Sequence, residues 1–373
     1  MRRGLLAATL TLASAWAAGE SALELNKLGA ERYSEGKYTE AEALFRRALA
    51  ACDETCDALS YARTMGNLAA LCMYSRRYAE AEQLYLGVVG IRGGDTPEAL
   101  KALLNLTEVY SRRGDAERAE QCARRSVGMA ERMAGAESPG FALGLHELAA
   151  VRRAQGHLEE ASRLYERSRG ILEKTYGAPT VNLARNLANV AEIHLARGQY
   201  EEAESIGRRA LATADSLTVA DDVTTAQAAN NLAQALRFEN RFEEAEPLYR
   251  RALEIWERRF GPEDATVGYG LGNLAGFYHD QEKESRAAGL YGRALGILEK
   301  AFGVESAEAA LMRTRLADVR RAQGHYAEAL RLYDRALPEL ERAWGLGDPR
   351  VISATRGFRR ATAEAKRYTL AWR

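Results

Sequence analysis

A repeat constrains this chain more than any other feature. The stretch from Asn230 to Asp264 carries a pattern of small, aliphatic and aromatic residues that returns along almost the whole of the 373 residues. Within it Leu232, Ala235 and Leu236, then Phe242, Ala245, Leu248, Tyr249, Ala252, Leu253 and Trp256, stand three and four apart. That spacing predicts two amphipathic helices, A and B, joined by a tight turn from Glu239 to Arg241.

Taking the first large residue after the turn as an anchor, the equivalent positions are Tyr38, Tyr78, Ala116, Leu158, Tyr200, Phe242, Glu284 and Tyr326. They lie 38 to 42 residues apart, and the last five intervals are all 42. Three residues after each anchor stands alanine, at Ala41, Ala81, Ala119, Ala161, Ala203, Ala245, Ala287 and Ala329. A small residue fixed there predicts a close crossing of helices, because an added methylene in a packed contact costs about 1–3 kcal/mol. Seven residues after the anchor comes a ring at Phe45, Tyr85, Tyr165, Tyr249, Tyr291 and Tyr333, with Ala123 and Gly207 in the other two units. Ten residues before it is an aliphatic side chain, from Leu28 to Leu316. Two residues before it is usually glycine (Gly36, Gly114, Gly156, Gly198, Gly324), as a left-handed turn between antiparallel helices requires.

This order of residues resembles the tetratricopeptide repeat. The period of 42, the phrase from Glu244 to Leu253 and the Phe-Gly-Pro-Glu-Asp loop from Phe260 to Asp264 resemble its kinesin-light-chain-like subclass, over roughly residues 21 to 373. The resemblance implies an all-α fold, an α-solenoid superhelix in which each unit packs on its neighbours. Residues 19–347 form eight repeats on this reading. One further period after Tyr326 reaches Tyr368, so residues 348–373 read as a capping half-repeat, with its arginines and lysine on a solvated outer side.

Residues 1–18 read as a secretory signal peptide: Arg2-Arg3, an uncharged Ala/Leu-rich run, then Ala15-Trp16-Ala17 before Gly19. The expected location is therefore the periplasm or the exterior, with no membrane anchor. The chain has 52 basic and 52 acidic residues, and without Arg2 and Arg3 the balance is near −2. Such neutrality speaks against nucleic acid or an anionic membrane as a general partner. The interleaved charges read as solvated helix faces. Cys72 and Cys122 fall on packing positions, whereas Cys52 and Cys56 flank a short loop where export would permit a disulfide.

No histidine set, nucleophile elbow, phosphate loop or metal-ligand spacing occurs, so neither enzyme chemistry nor a cofactor is expected. His157 and His325 sit beside two anchors and read as exposed turn residues. Helix A of the seventh unit holds Gly268, Gly270, Gly272 and Gly276, each costing about 0.5–1 kcal/mol against alanine, which predicts a soft place in the stack.

One polar signal stands among the packing positions. Eleven residues before the anchor the chain has Asn67, Asn105, Asn189, Asn231 and Asn273, with Lys27, Glu147 and Arg315 in the remaining units. Asparagine within a helix costs roughly half a kcal/mol against alanine. Two roles fit: holding the backbone of an extended ligand with its paired donor and acceptor, or hydrogen-bonding the adjacent helix. The resemblance implies that helix A lines the concave face. Arg63, Lys101, Arg185 and Arg237, with Arg153 and Arg321, would make that face basic and suit an acidic or carboxylate-ended segment. The expected function is a protein-interaction scaffold that binds a protein or peptide in this groove. Alternatives are an assembly role in the cell envelope through other faces, or a sensor of a peptide or small ligand.

Overall fold

The computed structural model describes residues 21–52, 57–91, 94–217 and 222–371. The predicted signal peptide and Cys56 lie outside the described residues; Cys52 is disulfide-bonded, and Cys72 and Cys122 are free thiols. The described residues form helices joined by short turns, without a strand, and divide into two compact units, Met1–Gly177 and Ala178–Arg373. The first unit contains α1 (Ala22–Ser34), α2 (Tyr38–Ala50), α3 (Ala58–Tyr74), α4 (Tyr78–Gly90), α5 (Pro97–Arg112), α6 (Ala116–Ala134), α7 (Pro139–Ala154) and α8 (Leu158–Tyr176). The second contains α9 (Val181–Ala196), α10 (Tyr200–Asp215), α11 (Asp222–Phe238), α12 (Phe242–Phe260), α13 (Ala265–Asp280), α14 (Glu284–Phe302), α15 (Ala307–Ala322), α16 (Tyr326–Trp344) and α17 (Pro349–Ala371). Each unit is an α-solenoid of A helices (odd numbers) and B helices (even numbers).

Every anchor is the first residue of a B helix. The residue two before it has positive φ in all eight repeats, including the three that are not glycine: Arg76 at 57°, Asn240 at 61° and Glu282 at 58°. The left-handed conformation costs a residue with a Cβ about 1–2 kcal/mol. Glu282 is exposed, so Glu282→Gly removes that strain at little other cost. It should raise stability by about 0.5–1 kcal/mol after the larger unfolded-state entropy of glycine is subtracted. Chemical denaturation showing a loss instead would refute this account of the turn.

Helix starts differ by type. Ser21, Asp57, Thr96, Ser138, Thr180, Asp264 and Ser306 cap A helices through their side chains, and Pro97 and Pro139 occupy first-turn positions. B helices, Asp115 apart, begin without a side-chain cap and are set by the turn itself. His157 and His325 are exposed at such starts, as expected.

The core lies between the A and B layers. All eight repeat alanines are at most 1 % exposed, and the rings seven after the anchor are at most 5 % exposed. Where the fifth repeat has Gly207, a Cβ would stand 3.3 Å from the Cα of Leu232, so α10 and α11 approach too closely for a ring. The glycines of α13 have a similar origin. The helix runs unbroken, and the positions of Gly268, Gly270, Gly272 and Gly276 are taken up by Leu298, Trp256, Met312 and Arg237 respectively.

Charges form clasps as well as a solvated coat. Four residues after the anchor, a glutamate reaches forward to the next repeat. Glu42 meets Arg77 at 2.8 Å, Glu120 meets Arg152 at 2.8 Å and Glu204 meets Arg241 at 2.6 Å. Glu82 meets Arg113 and Tyr110, and Glu246 accepts from the Tyr278 hydroxyl at 2.7 Å. The Arg77 hydrogen bond holds the Glu42 carboxyl below its ordinary value of 4.5. A lowered carboxyl pKa stabilises the fold at neutral pH, and that contribution is lost as acidification passes through the lowered value. Each such partly exposed pair contributes only about 0.2–1 kcal/mol.

Candidate ligand-binding face

Within each unit, every A helix packs closely on the next A helix, whereas among the described residues successive B helices stand further apart and meet through long side chains, as where Arg46 of α2 pairs with Glu80 of α4 at 2.6 Å. The A layer is therefore the more tightly stacked, inner one, and its free side chains converge.

In the first unit, α3 and α5 with Tyr85 of α4 enclose a concavity of about 270 Å³. Arg63, Asn67, Lys101 and Asn105, four of the residues singled out from sequence, line it together. The Asn105 amide donates to the Tyr85 hydroxyl at 3.0 Å, and the Asn67 amide donates to the Asn26 carbonyl oxygen on α1 at 3.1 Å. Arg63 is held by Glu98 at 3.2 Å. Lys101 is exposed and has no acidic partner among the described residues. Burial pushes the Tyr85 phenol well above its ordinary range, so it stays a neutral hydroxyl.

In the second unit, α11, α13 and α15 enclose about 450 Å³, lined by Arg237, Asn273 and Arg315 with Tyr269, Tyr291 and Met312. Arg237 pairs with Asp280 across the space that Gly276 leaves open. The Asn273 amide donates to the Asn230 carbonyl oxygen at 3.0 Å. Burial pushes the Tyr291 phenol up to about 12. Arg315, which occupies the asparagine position of its repeat, is exposed toward the concavity and unpaired among the described residues.

The other candidates stand elsewhere. Asn189 and Asn231 are 7 % and 4 % exposed in the A layer. Asn189 accepts from the Gln227 amide at 2.8 Å, and Asn231 donates to the Ala188 backbone carbonyl at 2.9 Å. Arg185 is half-buried on α9, and Arg321 pairs with Glu364 of α17 at 3.0 Å. The recurrent asparagine thus bonds protein in every repeat that has it, most often the neighbouring A helix. At Asn67, Asn105 and Asn273 the side chain is half-buried and its amide is the donor in these bonds. No group of three or more His, Cys, Asp or Glu able to hold a metal ion occurs among the described residues.

A larger polar feature was not anticipated. Arg313 of α15 is 1 % exposed and binds Glu339 of α16 and Glu299 of α14, each at 2.7 Å. It also donates to the Val304 carbonyl. The signal was available, since the residue thirteen before the anchor is apolar in the other repeats, from Leu25 to Leu271, and charged only here.

Comparison with known proteins agrees with this architecture. A tetratricopeptide repeat profile matches residues 20–88, 141–216, 224–300 and 266–342, and a second one matches residues 99–140. No curated protein matches the chain significantly. Among solved structures, BtubC (BKLC) from P. vanneervenii is 25 % identical with a TM-score of 0.50, covering 62 % of this chain and 93 % of that one. The apo form of the quorum sensor NprR from B. thuringiensis is 16 % identical with a TM-score of 0.61, covering 85 % and 86 %. A Rap protein complexed with Competence and Sporulation Factor is 14 % identical with a TM-score of 0.58, covering 92 % and 97 %. Kinesin-light-chain-like repeat proteins are also among the structural neighbours. Periodicity, helix pairing and profile agree: the chain belongs to the tetratricopeptide repeat family.

Proposed function

We propose that this chain is a protein-interaction scaffold whose A-helix faces receive an extended protein or peptide segment. The observation that carries the reading is the convergence, in each unit, of an unpaired cation, a half-buried asparagine and a buried tyrosine hydroxyl on one concavity. These are Lys101, Asn105 and Tyr85 in the first unit and Arg315, Asn273 and Tyr291 in the second. The asparagine carbonyl oxygen accepts a ligand backbone N–H, the tyrosine hydroxyl remains a neutral hydrogen-bonding group, and the free cation selects a carboxylate. Arg63 and Arg237 are already engaged by Glu98 and Asp280, so the choice of charge falls to Lys101 and Arg315. Family and fold support a protein-binding scaffold or a peptide sensor; acidic preference and capture on this face are our reading.

Selection of a displayed random-peptide library on the whole protein tests it. Enriched sequences should carry acidic residues or a free C-terminal carboxylate, and Lys101→Glu with Arg315→Glu should abolish the enrichment. Enrichment of neutral or basic sequences, or enrichment unchanged in the double variant, would overturn the reading.

We further propose that the chain is exported, on the strength of the apolar run and Ala-x-Ala pattern in residues 1–18. Expression in a bacterial host should yield extracytoplasmic protein whose mass begins at Gly19, and a product retaining Met1 in the cytoplasm would contradict this.

A further inference from the structure

Neutrality of the whole chain conceals a local excess on its last helix. α17 carries Arg350, Arg356, Arg359, Arg360, Lys366 and Arg367 against a single acid, Glu364. Arg350 is committed to Asp348 at 2.8 Å and lies over the Trp344 ring. Glu364 is committed to Arg321 of α15. The other five cations are all exposed and have no acidic partner among the described residues. They occupy the side of the helix opposite Val351, Ala354 and Ala361, which are buried against α15 and α16. Ile352, 39 % exposed, joins the same outward stripe.

This face differs from the rest of the molecule, where glutamates reach across repeats to clasp arginines. Like charges three and four apart on a helix repel one another, and alternating signs would solubilise the face without that repulsion. A counter-charge supplied from outside removes it. The 23 residues of α17 make a rod about 34 Å long, at about 1.5 Å per residue. Its cations form an open row with no enclosing wall, which selects for charge density over an extended surface and not for the shape of a small ligand.

We propose that the outward face of α17 is a docking surface for an anionic phospholipid bilayer. The lipid phosphates would neutralise Arg356, Arg359, Arg360, Lys366 and Arg367 together, and Ile352 would meet the headgroup boundary. Contact would be peripheral, since no described helix is long and apolar enough to cross a membrane. Because the binding is electrostatic it weakens as salt shortens the screening length.

Sedimentation of the full chain with vesicles tests this directly. It should bind vesicles containing phosphatidylglycerol, not pure phosphatidylcholine vesicles, and high salt should release it. Each cation near an anionic surface is worth about fivefold in affinity, so Arg356→Glu, Arg359→Glu and Lys366→Glu together should weaken binding by more than about a hundredfold. A second variant, Arg125→Glu with Arg163→Glu and Arg335→Glu, makes the same charge change at exposed sites on α6, α8 and α16. It should keep most of the binding, and both variants should melt like the parent. Failure of the parent chain to bind anionic vesicles would overturn the proposal. So would equal loss in the two variants, or a basic face that captures acidic proteins or nucleic acid but no lipid.

Discussion

Replacing Arg313 by methionine should lower the stability of the second unit by about 3–5 kcal/mol, the cost of leaving buried charge uncompensated. The guanidinium bridges α14, α15 and α16 through Glu299 and Glu339 and satisfies the Val304 carbonyl. Methionine matches much of its length but offers no donor. Glu339, 8 % exposed, would then be stranded, whereas Glu299 can turn toward water. The double variant Arg313→Met, Glu339→Leu should therefore recover at least half of the loss. Hydrogen exchange resolved to α14, α15 and α16 is the suitable readout, because neighbouring repeats need not unfold together. Unchanged protection in the single variant would show that the triad contributes little.

Restoring the family-like ring at position 207 should damage the protein. Six repeats place Phe or Tyr seven residues after the anchor, so Gly207→Tyr looks like a repair on sequence alone. In the structure α11 has moved into that space, with the Leu232 backbone 3.3 Å from where a Cβ would be. Backbone cannot turn aside as a side-chain tip can, so the cost should reach about 3 kcal/mol, at the upper end for overpacking. Even Gly207→Ala should be destabilising, against its favourable helix propensity. Chemical denaturation settles the matter, and a gain in stability for either variant would contradict the packing described here.

These two positions mark where the sequence was legible and where it was not. Anchors, repeat alanines and turn positions were readable because each obeys a local rule repeated eight times. Positive φ at Arg76, Asn240 and Glu282 shows that the turn imposes its geometry even where the residue resists it. The asparagines were visible as a pattern, but their use depends on the distance between successive A helices, which no single helix encodes. Asn189 and Asn231 are buried in hydrogen bonds between successive A helices, so a variant lacking them would test packing together with binding. The clasps of Glu42, Glu120 and Glu204 escaped notice because their partners lie 32 to 37 residues away. Net charge summed over the chain likewise hid the cations of α17.

Whether ligand lies against the A helices is tested most directly by photo-cross-linking. A photoreactive amino acid would replace Gly66 or Tyr269, which line the two concavities, and Arg163 or Arg331 on exposed B-helix surface. With a peptide selected by the whole protein, cross-links should form from positions 66 or 269 and be absent from 163 and 331. Cross-links confined to the B-helix positions would contradict the account and move the binding surface to the outer layer.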